Sequence, residues 1–339
     1  MLIECDSLDG VLYQLYSAIK ADGHWHGGGT RGESKELLGV SLKIKKPRAR
    51  LSLSENRGKP FSALGELLWY LSGSESLAFI RDYVPAYEED AVNGILEGAY
   101  GPRLMAMRGQ INQLDSIHAL LTKKPGSRRA VIQLFNAEDI ATDHAEIPCT
   151  TTLQFHLREG VLHMSVTMRS NDAYWGLPHD VFCFTMLQEM MAQRLSVLLG
   201  EYHQYVGSMH VYKDYLGGVD AYIAEGFQQT SEMPPMPSGD PFLLVEQLIA
   251  IETRLRAGEE LDASAVMNDS YWADLVRLLQ VFWAKEQVER QPGRLEVLRA
   301  ELATSFYKPY VDGRLFLARR AAEKARAANA NEGGTNVVI

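Results

Sequence analysis

Glu146-Ile147-Pro148-Cys149-Thr150-Thr151-Thr152 is followed by Arg169-Ser170-Asn171-Asp172 and then by Gly176-Leu177-Pro178-His179-Asp180. Between the first two runs, residues 150–157 and 161–168 alternate apolar and polar side chains around Arg158-Glu159-Gly160. That is the pattern of two strands joined by a hairpin. A thiol, an arginine beside a hydroxyl, and an acid in apolar company suit attack on a nucleotide base. Cys149 supplies a soft nucleophile. Arg169 with Ser170 holds a phosphate, and Asp180 reads a ring edge.

Working outward, residues 7–20 have a helical period in Leu8, Val11, Leu12, Leu15, Ala18 and Ile19. Residues 23–32, rich in Gly and His and ending in Thr30-Arg31-Gly32, are expected to form a loop, either a plain connection or one that closes over an anion. Residues 40–44 alternate as a strand. Phe61, Leu64, Leu67, Leu68 and Leu71 mark a helix whose Glu66, taken in isolation, reads as a solvated side. Residues 114–121 form a short helix, and 127–135 a strand opening with Arg128 and Arg129. That pair is either simply exposed or reaches one anion from two backbone positions. Residues 181–195 form an apolar helix that takes Cys183 into the core, and 201–212 return to strand, closing with His210 and Tyr212.

Beyond about 215 the character changes. A proline-rich linker, Met233-Pro234-Pro235-Met236-Pro237, leads to helical periods at 241–256, 271–287 and 292–306 and an Ala/Arg/Glu-rich end at 318–332. The division expected is a catalytic domain over 1–232, a helical extension over 240–325 and a mobile tail over 326–339. A formal net charge of −9 argues against nonspecific binding to nucleic acid or to an anionic membrane. Cys5, Cys149 and Cys183 are too few and too scattered for a disulfide framework or a zinc site, so a reducing cytoplasm is expected. There is no signal-peptide pattern and no membrane-spanning apolar run. None of the nine histidines falls into metal-ligand spacing, and no metal is expected.

Several of these elements stand in one order. They are Arg128-Arg129, Pro148-Cys149, Arg169-Ser170-x-Asp172-x-x-x-Gly176-Leu177-Pro178 and His210-x-Tyr212, preceded by Gly65-Glu66-Leu67-Leu68-Trp69-Tyr70-Leu71-x-Gly73 and Gly98-Ala99-Tyr100-Gly101. Over roughly residues 8–215 the chain resembles the thymidylate synthase superfamily. The resemblance implies an α/β fold, a thymidylate synthase-like mixed sheet flanked by helices, here with a C-terminal helical appendage. It implies that the Cys149 thiolate adds to ring carbon 6 of a pyrimidine nucleotide, and that carbon 5 then captures a one-carbon unit from 5,10-methylene-tetrahydrofolate. Neighbouring arginines are expected to lower the thiol pKa. By the same resemblance Arg169, Ser170 and Arg31 hold the phosphate with Arg128 and Arg129 of a partner subunit, so the active sites of a homodimer are shared. Glu66 and Asp172 join the catalytic set, Glu66 as a proton-relay acid. Tyr100 supports the cysteine, and His210 with Tyr212 faces the sugar.

The departures bear on the substrate. The family's Gly-Leu-Pro-Phe-Asn is Gly-Leu-Pro-His-Asp here. Asparagine donates and accepts toward uracil, whereas an ionised aspartate only accepts, so Asp180 points to a cytidine nucleotide, as in the cytidylate hydroxymethylases. The folate-facing tryptophan is replaced around Tyr87, and the C-terminal Tyr-x-Pro-His-Pro element has no counterpart. Both losses favour water over hydride as the final reactant and loosen the demand for deoxyribose. The expectation is therefore a hydroxymethyltransferase acting on CMP, or on dCMP. The alternatives are a divergent thymidylate synthase methylating dUMP and a non-catalytic nucleotide-binding protein.

Overall fold

A computed structural model describes residues 1–29, 31–54, 57–284 and 292–333. The chain divides into two compact units, Met1–Ile249 and Ala250–Ile339. The first unit opens with β1 (Leu2–Cys5), α1 (Leu8–Asp22), β2 (His24–Gly29), β3 (Gly32–Ile44) and α2 (Pro60–Ser72). Two short helices follow, α3 (Leu77–Ile80) and α4 (Tyr100–Met105), then α5 (Gln113–Lys123) and β4 (Val131–Gln133). Next come β5 (Thr150–Arg158), β6 (Val161–Asp172), α6 (Gly176–Arg194), β7 (Leu198–Tyr212) and α7 (Leu216–Glu225).

The strands form one mixed sheet in the order β1-β3-β7-β6-β5-β4, with β2 hanging on β3. This is the α/β architecture that the sequence implies. β5 and β6 are the antiparallel hairpin, whereas β6 and β7 run parallel, with α6 as the crossover between them. Strand alternation splits the sheet into two faces. Leu153, Phe155, Met164, Val166, Tyr202, Val206, Val40 and Leu42 lie on the buried face. Gln154, His156, His163, Ser165, His203 and Lys43 lie half-buried on the other.

α1 starts where Ser7 caps it, its hydroxyl accepting from Gly10 N at 3.2 Å. α2 has Pro60 in its first turn and ends at Gly73, whose φ of 68° is the left-handed conformation that glycine takes most cheaply. It is buried from Phe61 to Leu71 with Ser62 the exception, and Glu66 goes inside with its neighbours.

Some expectations need correction. Residues 24–29 are not loop but strand. β2 pairs antiparallel with β3, His24 against Glu36 and Trp25 against Lys35, so backbone pairing at a sheet edge prevails over a glycine-rich composition. Thr30 lies outside the described residues. The strand read at 127–135 shrinks to Val131–Gln133, leaving Arg128 and Arg129 before it. α6 begins five residues earlier than its apolar run and takes His179 and Asp180 into its first turns. The proline-rich segment is no free tether. Met233 and Met236 are buried, Met233 N donates to Arg48 O at 2.9 Å, and Met236 N donates to Glu189 Oε1 at 3.0 Å.

α8 (Val245–Arg256) spans the boundary between the units, and α9 (Ala263–Val266), α10 (Ser270–Trp283), α11 (Pro292–Glu301) and α12 (Lys308–Gly333) make up the second. There, buried Asp274 on α10 accepts from Ala303 N and Thr304 N, each at 3.0 Å, and pairs with Arg277 at 2.9 Å, tying α10 to the turn before α12. The expected helix end at 285–287 and the tail at 334–339 lie outside the described residues. Among the described residues no helix is long and apolar enough to cross a membrane.

Packing around α2 is tight at Gly65, where an added Cβ would sit 2.2 Å from the Tyr83 ring. Gly65→Ala should therefore destabilise the protein by about 1–3 kcal/mol, against the roughly 1 kcal/mol gain that helix propensity alone offers. Thermal unfolding decides which effect wins.

Candidate active site

The strand directions gather the chemistry at one sheet edge. β6 and β7 are parallel, so Arg169 to Asp172 and His210 to Tyr212 lie at the same end, with Ser170 opposite Ser208 and Asp172 opposite His210. β5 and β3 run the other way, so Cys149, just before β5, and Arg31, just before β3, arrive at that end too. Arg169 N donates to Cys149 O at 2.8 Å, which fixes the two residues side by side.

Around the thiol, Arg169 Nη2 approaches Cys149 Sγ at 3.6 Å while its other donors hold Pro148 O (2.9 Å) and Ile147 O (3.0 Å). Tyr100 OH accepts from Thr150 N at 3.0 Å, bracing the residue after the cysteine. The expected activation of the thiol is not met within one chain. Burial pushes Cys149 up to about 11, Asp180 and Glu146 push the same way, and Arg169 opposes them without offsetting burial. Glu146, which accepts from Gly98 N at 3.3 Å, is itself raised to about 7 by burial and by Asp90.

Asp180 is buried and accepts from Asn171 Nδ2 at 3.0 Å. Burial, with the charges of Glu66 and Asp172, holds its carboxyl well above the usual carboxylate range, so the acid is neutral. Gly176 makes room for the pair, since a Cβ there would meet Asn171 Oδ1 at 3.0 Å.

Glu66 is also buried, but its surroundings act the other way. His179 Nδ1 lies 2.6 Å from Oε2, and Tyr70 OH and Tyr87 OH both donate to Oε1 at 3.0 Å. Burial raises its pKa, yet the hydrogen bonds from His179, Tyr87 and Tyr70, that of His179 foremost, prevail, and Glu66 is held below the ordinary carboxylate range. The imidazole's far nitrogen, Nε2, meets Ser62 Oγ at 3.1 Å.

Asp172 accepts from Tyr174 N at 2.8 Å, and burial raises its carboxyl and lowers the imidazole of His210. The His210 and Tyr212 rings meet edge to face at 5.0 Å. Arg31 is exposed and turned to Asp90 (2.6 Å) and Ala86 O (3.2 Å). Arg128 and Arg129 are exposed beside the edge strand β4, and neither side chain bonds to the site of its own chain among the described residues. His179, Asn171 and Glu146 were quoted from the sequence without a role, and only His179 had a signal, as the histidine standing where the family has phenylalanine. The sheet's half-buried face also brings His163, Glu201 and His203 within 4.8 Å of one another, a grouping the sequence spacing did not show. Glu201 N donates to His163 Nδ1 at 3.0 Å and Lys43 Nζ sits 3.0 Å from Glu201 Oε1, so its polar atoms already have partners.

Cys149 stands just before β5, Asp180 in the first turns of α6 and Glu66 within α2. The thymidylate synthase family model matches residues 13–237. The chain belongs to the thymidylate synthase family. The family uses methylenetetrahydrofolate as co-substrate. Similar proteins include a deoxyuridylate hydroxymethyltransferase of Bacillus phage SP01, 32% identical over 58% of this chain and 54% of that protein. A deoxyuridylate hydroxymethyltransferase of Delftia phage PhiW-14 is 32% identical over 54% of each. A thymidylate synthase of Buchnera aphidicola is 30% identical over 44% of this chain and 59% of its own length. The chain thus spans a little over half the length of these relatives.

Two measurements check the electrostatics. Removing the one cation beside the thiol disfavours the thiolate, so Arg169→Ala should move the pH midpoint of Cys149 alkylation upward from the wild-type value. For Asp180 the raised folded pKa means stability is fully present below the unfolded pKa, near 4, and is lost as pH rises through the folded pKa. Asp180→Asn keeps the neutral shape without that loss. It should raise stability at neutral pH by on the order of 1–3 kcal/mol, with the gap in melting temperature widening from pH 5 to pH 8.

Proposed function

We propose that this protein transfers a one-carbon unit from methylene-tetrahydrofolate to carbon 5 of a cytidine monophosphate and releases it as a hydroxymethyl group. The observation that carries the reading is Asp180, a buried carboxyl held by Asn171 and pushed by burial well above the usual carboxylate range, toward the neutral acid. When the thiolate adds to ring carbon 6, electron density moves to ring nitrogen 3. An acid can give cytosine nitrogen 3 a proton there while its other oxygen accepts from the amino group, which an asparagine cannot do. Arg169, Ser170 and Arg31 hold the phosphate. Arg128 and Arg129, unbonded to their own site, are donated to a second copy, so the working unit is a homodimer. Their charge would also lower the thiol pKa that one chain leaves high. The free cysteines suit a reducing cytoplasm.

A second reading, a deoxyuridine nucleotide as acceptor, is favoured by the names of the two phage relatives. The neutral carboxyl also suits it, since it can donate to carbonyl oxygen 4 and accept from the nitrogen 3 proton of uracil.

Incubation with methylene-tetrahydrofolate and, separately, CMP, dCMP, UMP and dUMP, with products followed by mass, tests both. The expected result is a gain of CH2O on a cytidine nucleotide, no accumulation of dihydrofolate, and complete loss of product in Cys149→Ser. A gain of CH2O on dUMP alone moves the assignment to the second reading. A gain of CH2 on dUMP overturns hydroxymethyl transfer.

A further inference from the structure

Hydroxymethyl transfer, on which this inference rests, needs something that methyl transfer does not: a base to take a proton from the water that traps the exocyclic methylene. We propose that His179 is that base, and that Glu66 and Ser62 hold it in the state to act. The side chains of Glu66 and His179 are largely buried, and the 2.6 Å between carboxylate Oε2 and Nδ1 requires a proton between them. With Nδ1 as the donor, neutral His179 keeps its lone pair on Nε2, where Ser62 Oγ stands at 3.1 Å. Carboxylate, imidazole and hydroxyl in this order make a general base whose protonated form the carboxylate stabilises. Tyr70 and Tyr87 donate to Oε1 and leave Oε2 to the histidine, so the orientation is fixed from both sides. His179 precedes Asp180 in α6 and so stands beside the residue that reads the base edge next to carbon 5.

The step balances without a further reactant. After the one-carbon unit has left the folate as the exocyclic methylene on carbon 5, the water oxygen bonds to that methylene carbon. The water's proton ends on His179 Nε2. The exocyclic double-bond electrons move into the ring, the carbon 5–carbon 6 double bond forms again, and the carbon 6–sulfur bond breaks with its pair going to Cys149 as thiolate. No hydride moves, so tetrahydrofolate leaves unoxidised. The phenylalanine that the family carries at this position has no lone pair with which to do this.

His179→Gln is the clean variant, since its amide still donates to Glu66 but takes no proton. With enzyme in excess over nucleotide carrying tritium at carbon 5, tritium release reports the steps up to the exocyclic methylene, and product mass reports the water step. The expected result is tritium release within about threefold of wild type and hydroxymethyl product slowed about 100-fold or more. His179→Phe, of similar bulk, should show the same split and guards against a folding defect in the first variant. Equal loss of tritium release and product would make His179 a positioning residue for Glu66 and overturn the proposal, as would unchanged product formation. If the wild type makes no hydroxymethyl product on any of the four nucleotides, the functional reading itself fails, a result distinct from either variant outcome.

Discussion

Desolvation governs this site. Four ionisable groups, Glu66, Cys149, Asp172 and Asp180, are taken out of water within a few strand ends of one another, and burial is the largest influence on each. A low-dielectric pocket cannot hold several like charges, so each group either finds a partner or stays neutral. Glu66 finds His179 and remains ionised. Asp180, with only a neutral amide for company, stays protonated. Cys149 stays a thiol because one guanidinium does not offset burial and the surrounding acids.

Arginine supply then becomes the controlling variable. Arg31 is occupied by Asp90 and Ala86, and Arg169 commits Nε and Nη2 to the backbone that precedes the cysteine. That use of Arg169 is positional: it stiffens residues 147–149, and Nη2 faces the sulfur while also holding Ile147 O. A site in which the local cations are committed to the backbone gains thiolate character only when further positive charge arrives. Cation supply and nucleophile activation are therefore coupled, and in the proposed homodimer the exposed pair before β4 would provide it.

Residues whose signal is periodic were legible in the sequence. α1, α2 and the β5–β6 hairpin follow from apolar spacing, because burial on one face is what the spacing records. β2 was not legible, since glycines and histidines carry no alternation and its strand state comes from β3, not from its own residues. Glu66 shows the limit more sharply. An acid among leucines reads as the wet side of a helix, and its burial rests on partners at positions 70, 87 and 179. His179 is 113 residues away, and no local pattern encodes a contact across that distance. The resemblance to a family supplied Glu66 and Asp180, and geometry supplied the groups that set their charge.

The two carboxyl groups illustrate how one pocket can run opposite proton chemistry at a single pH. Identical functional groups have been pushed apart, Asp180 upward by burial without a counter-charge and Glu66 downward by an imidazole and two hydroxyls. In the proposed reaction the raised acid would give a proton as sulfur adds, and the lowered one would stabilise a protonated histidine as water adds. Both states depend on adjacent residues of one helical turn, His179 and Asp180, the two positions at which this chain departs from the family's Gly-Leu-Pro-Phe-Asn. Restoring phenylalanine alone would strand a buried carboxylate, and restoring asparagine alone would remove the acid while leaving the base. Under the proposed function the pair makes chemical sense only together, the reading of the base and the release of the hydroxymethyl group both falling to one step of α6.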